Sequence, residues 1–149
     1  MIIQEGLIAS RFVHAVTLLI IYGITLFPLY AFAGQPRLAH GWRGLHSQSR
    51  FRAACLFALA SGIAWLLFAC AAMSGSLSEA FTIDMLGMVM SETGFGFVWG
   101  IHLALVTALV LAALVASPSG PVLTIVFVLL SAASLGTLAG VGHTQAQTE

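Results

Sequence analysis

The fold class this sequence predicts is an all-α integral membrane protein: a four-transmembrane-helix bundle with a short outer amphipathic helix between helices 2 and 3. Three observations predict it. Of the 149 residues, 60% are hydrophobic and only 7% charged, with a mean hydropathy of +1.04. Soluble domains carry about 25% charged residues, so this chain cannot cover itself in water. Four runs meet the requirement of ~20 mostly apolar residues for crossing a bilayer. Most of the arginines gather in a single loop, as expected of a polytopic protein with a defined orientation.

The first span runs over about 7–32. It carries Ala31-Phe32-Ala33, a small-residue pattern like a signal cleavage site. No basic segment precedes the run, and Arg11 and His14 interrupt it, so it reads as a retained helix. Pro28 should bend its end, because proline removes a backbone donor and clashes one turn back. The loop 33–52 follows, and Arg37, Arg43, Arg50 and Arg52 lie in it. The positive-inside rule assigns that loop to the cytoplasm and both termini to the outer side of the membrane.

The second span covers about 53–73 and contains a small-residue patch, Ala60, Ser61, Gly62 and Ala64. Lipid offers no hydrophobic drive for helix association, so small residues are expected where helices pack closely. Residues 74–94 form an acidic loop with Glu79, Asp84 and Glu92. Within it, Ile83, Met85, Leu86, Met88 and Val89 read as an amphipathic helix lying on the outer face. The third span is expected at about 95–116 and the fourth at about 121–141. Pro118-Ser119-Gly120-Pro121 between them reads as a tight turn that makes an antiparallel hairpin. Gly136 and Gly140 form a GxxxG step in the last span. Trp99 and Trp42 read as interfacial anchors, while Trp65 lies mid-span and needs a partner for its N–H. The 1–149 chain is expected to be one membrane domain.

The chain has no lysine, and its formal net charge is zero. No basic, aromatic-interleaved patch points to nucleic acid. No nucleophile–base pair, phosphate loop or CxxC is present, so the chain reads as a non-enzyme. Cys55 and Cys70 stand fifteen residues apart in one helical run. That separation is ~22 Å of rise, too far for a disulfide.

The chemistry-bearing residues are intramembrane. Arg11 and His14 share one helix face. Polar and charged groups in lipid are costly, and they usually face a partner or a cavity. Counted from the outer ends of their spans, His14 and His102 each lie about seven residues, or ~10 Å, deep. His143 follows the fourth span, and Met73 closes the second on the same side. Imidazole and thioether suit copper, and a His/Met mixture favours Cu(I) over hard ions. His14, His143, His102 and Met73 are therefore the candidate copper ligands. Met85, Met88 and Arg11 are secondary candidates. Arg11 either snorkels to the outer interface or pairs with Glu5 or a bound anionic group. His14 with His102 or His143 could alternatively ligate a b-type haem. Each histidine also has a purely structural reading, as a hydrogen bond across a helix interface. A bundle without a site of its own is then the third alternative.

The chain resembles the copper resistance protein D family of bacterial inner-membrane proteins. The likeness rests on Arg11-Phe12-Val13-His14, Leu26-Phe27-Pro28-Leu29-Tyr30, Ser61-Gly62-Ile63-Ala64-Trp65, Thr93-Gly94-Phe95-Gly96-Phe97-Val98-Trp99 and Gly142-His143-Thr144, in the family's order. The resemblance implies copper uptake or tolerance, with periplasmic copper-binding proteins as partners. It also implies kinship with b-type cytochrome bundles, hence the haem alternative. Relatives are commonly about twice this length, so the chain corresponds to their first membrane half, which implies a second half or a homo-oligomer. His102 departs from the pattern, in which many relatives are expected to carry arginine.

Overall fold

The computed structural model describes residues 1–31, 48–116 and 121–146, with side chains described only for 122–141 in the last stretch. Five α-helices and one 3-10 turn make up these residues: α1 Ile2–Ala31, α2 Gln48–Ser74, the 3-10 turn Glu79–Phe81, α3 Ile83–Glu92, α4 Gly94–Val115 and α5 Pro121–Ala146. Four of them, α1, α2, α4 and α5, are long and apolar enough to cross a membrane. In lipid a helix is one of the two ways a backbone can satisfy its own hydrogen bonds. The chain is a multi-pass membrane protein built as an all-α bundle, as composition and span length predict.

The four spans close a ring. α1 packs against α2 and α5, and α4 packs against the same two helices. Large side chains point away from this ring: Phe12 is 69% exposed, Phe97 71% and Leu129 63%. On a membrane bundle this is the lipid-facing surface.

The interior is layered along the bundle. At the α3 end, Leu7, Trp65, Cys70, Val89, Phe95 and Trp99 form one apolar cluster. At the other end Leu18, Ile21, Phe51, Cys55, Leu109 and Phe127 form a second. Between them lies a polar layer of His14, Ser61, His102, Ser131 and Ser134, all buried. Its serines donate to carbonyls of their own helices: Ser61 Oγ to Ala58 O at 3.0 Å, Ser131 to Phe127 O at 2.7 Å and Ser134 to Leu130 O at 2.8 Å. Such back-bonding satisfies a hydroxyl without a partner helix.

The ends are capped by local chemistry. α2 ends at Gly75, whose φ of 76° lies in the left-handed region and whose N–H bonds Ala71 O at 2.9 Å. Glycine takes that conformation without strain. Thr82 caps α3, accepting from Met85 N at 3.3 Å, and Thr93 caps α4, accepting from Gly96 N at 2.9 Å. A single residue thus separates α3 from α4. Gly96 makes the corner possible, because a Cβ there would overlap the Val89 carbonyl oxygen. At the opposite end Arg52 donates to Ala113 O at 2.9 Å and Leu114 O at 2.7 Å. A cation there satisfies the last carbonyls of α4 and complements the helix dipole.

The structure moves Trp99 from the interface expected of it to the interior, where it is 0% exposed. The reason is α3, whose buried Val89 belongs to the same cluster and covers that end of α4. The two glycines of the GxxxG step behave differently. A Cβ on Gly140 would lie 3.4 Å from Val98 Cγ1, whereas one on Gly136 would meet nothing within 4 Å.

A candidate metal centre at the histidine pair

His14 and His102 meet at the centre of the polar layer. Their Nε2 atoms are 2.7 Å apart, and both residues are 0% exposed. Each of the four spans contributes to holding them. From α2, the Ala58 carbonyl lies 2.9 Å and Ser61 Oγ 3.0 Å from His14 Nδ1. From α5, Thr137 Oγ1 lies 2.7 Å from His102 Nδ1. A backbone carbonyl only accepts, so the Ala58 contact assigns the His14 proton to Nδ1. His14 Nε2 then presents its lone pair to His102, which is the orientation a metal ligand requires.

Local sequence explains the fit. Gly62 leaves the room that the His14 ring occupies, for a Cβ there would stand 3.1 Å from its Cε1. The small patch of α2 is therefore more than a packing surface: Ser61 and Gly62 form the bed of the imidazole. Trp99 sits three residues before His102 on α4 and stacks on its ring, with centroids 4.6 Å apart and planes 21° apart. Trp65 tilts against Trp99 at 4.4 Å and meets His14 edge-on at 6.0 Å. Neither indole N–H has a hydrogen-bond partner among the described residues.

Not every residue singled out in the sequence joins this cluster. Met73 is 50% exposed and twelve residues beyond Ser61 on α2, ~18 Å along the helix. It does not reach the pair. Met85 packs against the apolar cluster of the α3 end, while Met88 is 52% exposed. The Arg11 guanidinium carbon lies 5.3 Å from the centroid of the Trp65 ring, a cation–π contact. The side chain of His143 lies outside the described residues, as do His40, His46 and Trp42. Among the described residues no three His, Cys, Asp or Glu side chains form a group able to hold a metal ion.

The histidines share a level, as expected. His102 is eight residues from the start of α4 at Gly94, ~12 Å and close to the expected depth. His14 is twelve residues from the start of α1 at Ile2, ~18 Å from that end, because α1 begins before the expected Leu7. A haem between these two rings does not fit. A porphyrin plane would have to pass between them, and the Trp65 and Trp99 indoles fill the space beside them.

The comparisons agree with this picture at the level of family. No curated protein and no solved structure matches the chain. The model of the copper resistance protein D-like N-terminal domain matches residues 2–148. With nearly the whole sequence covered, the chain belongs to the copper resistance protein D-like N-terminal domain family.

Proposed function

We propose that this protein handles copper in the bacterial inner membrane, in uptake or resistance, and that His14 and His102 are the pair that holds or passes the ion. The observation that carries the reading is the contact of two fully buried imidazoles at 2.7 Å in the middle of a lipid-facing bundle. Intramembrane ionisable residues are expensive and mark ion pathways by default. Imidazole is a ligand for copper, and the family is one of copper resistance proteins. A metal held by both nitrogens needs them ~4 Å apart at bond lengths of ~2 Å. Loading therefore parts the rings by about 1 Å, within reach of a rotamer adjustment, and moves the His102 proton from Nε2 to Nδ1, where Thr137 Oγ1 at 2.7 Å accepts it.

Copper is cargo here and undergoes no catalysed reaction. The positive-inside rule supports a cytoplasmic location for the end bearing Arg50 and Arg52 and a periplasmic one for α3. The exposed carboxylates Glu79, Asp84 and Glu92 on that side suit cation collection. A periplasmic copper-binding protein would then deliver or receive the ion. His143 is the residue best placed in sequence to receive it first, and a second membrane half or second copy would complete a path across the bilayer.

Copper titration of the purified protein, with His14→Ala and His102→Ala alongside, tests the proposal. One copper per chain that is lost in both variants is expected. Unchanged stoichiometry and affinity in the variants would refute it.

A further inference from the structure

The geometry points to a site selective for soft monovalent cations, Cu(I) and Ag(I), in which the indole face of Trp99 is the third neighbour of an ion bound by His14 and His102. The inference rests on the copper reading above and specifies the ion that the pair accepts.

The first argument is charge. The desolvation cost of an ion grows with the square of its charge, so a dication costs about four times as much as a monocation in the same interior. Anionic ligands usually offset that cost. Here the described carboxylates, Glu5, Glu79, Asp84 and Glu92, are all exposed, and none forms a ligand group with the histidines.

The second argument is coordination number. Zinc takes four ligands in tetrahedral array, and Cu(II) prefers a tetragonal set. Two imidazoles cannot supply either. Cu(I) and Ag(I) are d¹⁰ ions that accept two ligands in line, and the two Nε2 atoms already face one another.

The third argument is the wall. An ion bound at His102 Nε2 lies in the plane of that imidazole. The plane runs nearly parallel to Trp99, at 21°, with the rings 4.6 Å apart. In the proposed site the ion lies over the indole face, where the ring quadrupole attracts a cation within ~6 Å. His14 is also within range of the same ring, at 6.0 Å. A buried indole thereby adds polarisable electron density beside a soft ion already held by two nitrogens.

The test uses the full chain in nanodiscs with Trp42→Phe, so that indole signals report Trp65 and Trp99 alone. Ag(I), Cu(I) with reductant, and Zn(II) are titrated separately, following indole emission and bound metal together. Expected are one Ag(I) or Cu(I) per chain with quenched emission, and Zn(II) weaker by at least about a hundredfold, a floor well below the full desolvation difference. Trp99→Leu should weaken Ag(I) by about five- to thirtyfold, and Trp99→Phe, which retains a ring and packs more conservatively, by less. Zn(II) binding as tightly as Ag(I) at the histidines would overturn the inference and leave the copper reading intact. So would Ag(I) binding with unmoved emission and unchanged affinity in both Trp99 variants. Ag(I) and Cu(I) affinities insensitive to His14→Ala would overturn both.

Discussion

Replacing His102 with leucine removes the partner of His14 Nε2, and the cost follows from what is left behind. The lost contact is a 2.7 Å hydrogen bond between groups that are 0% exposed. An orphaned buried polar atom costs about 1–3 kcal/mol, although hydrogen bonds within membrane bundles have averaged nearer 0.6 kcal/mol. His102→Leu should therefore destabilise the bundle by about 1–2 kcal/mol. His14→Leu should do the same by orphaning His102. The double variant should cost distinctly less than the sum, because no imidazole then remains unpaired. The hydroxyls around the pair stay satisfied, since Ser61 Oγ donates to Ala58 O at 3.0 Å and Thr137 Oγ1, once released from His102 Nδ1, donates its one hydrogen to Ser134 O at 2.7 Å. A double-mutant cycle on unfolding in bicelles reads the difference directly, and a coupling of about 1–2 kcal/mol is expected for residues in contact. Additivity within about 0.3–0.5 kcal/mol would refute the pairing.

Three further perturbations probe its surroundings. Gly62→Ala brings a methyl to 3.1 Å from His14 Cε1; because the ring is held at both nitrogens, the variant should lose about 1 kcal/mol in bicelle unfolding and bind copper more weakly. Gly96→Ala drives a methyl into the backbone of Val89 and Met90, so α3 must lift away. Its amides should exchange hydrogen faster, while those of the four spans keep their protection. Arg52→Ala uncovers the Ala113 and Leu114 carbonyls and should cost about 0.5–1.5 kcal/mol in the same unfolding assay, the low range reflecting a partly exposed contact. Arg52→Lys should restore only part, because an ammonium lacks the fork that spans two acceptors.

The spans were legible because bilayer thickness imposes a length on apolar runs that no other feature of this sequence imitates. Leu7–Phe32 became Ile2–Ala31, and about 95–116 became Gly94–Val115, with only the ends adjusted. The amphipathic segment was legible for the same kind of reason: Met85, Leu86 and Val89 recur with helical spacing, and that face packs on the bundle. His14 and His102 were legible as site residues by being polar where polarity is expensive. Their direct contact was not, since it depends on how the helices rotate about their axes. Composition hardly constrains that rotation, because these spans are apolar nearly all round. The same blindness hid Trp99, which reads as an interfacial anchor until α3 is laid across its end of the bundle. It hid the contact of Arg11 with Trp65 as well, since a cation over an indole leaves no signature in spacing. Ser61 and Gly62 carried a usable clue: a hydroxyl beside a glycine, mid-span, is what a neighbouring ring needs.

The most direct test of a copper centre at the histidine pair is X-ray absorption at the copper edge of the Cu(I)-loaded protein. Two nitrogen ligands and no sulfur shell are predicted, with the nitrogen signal lost in His14→Ala and in His102→Ala. A sulfur shell, or a copper spectrum identical in both variants, would contradict the account.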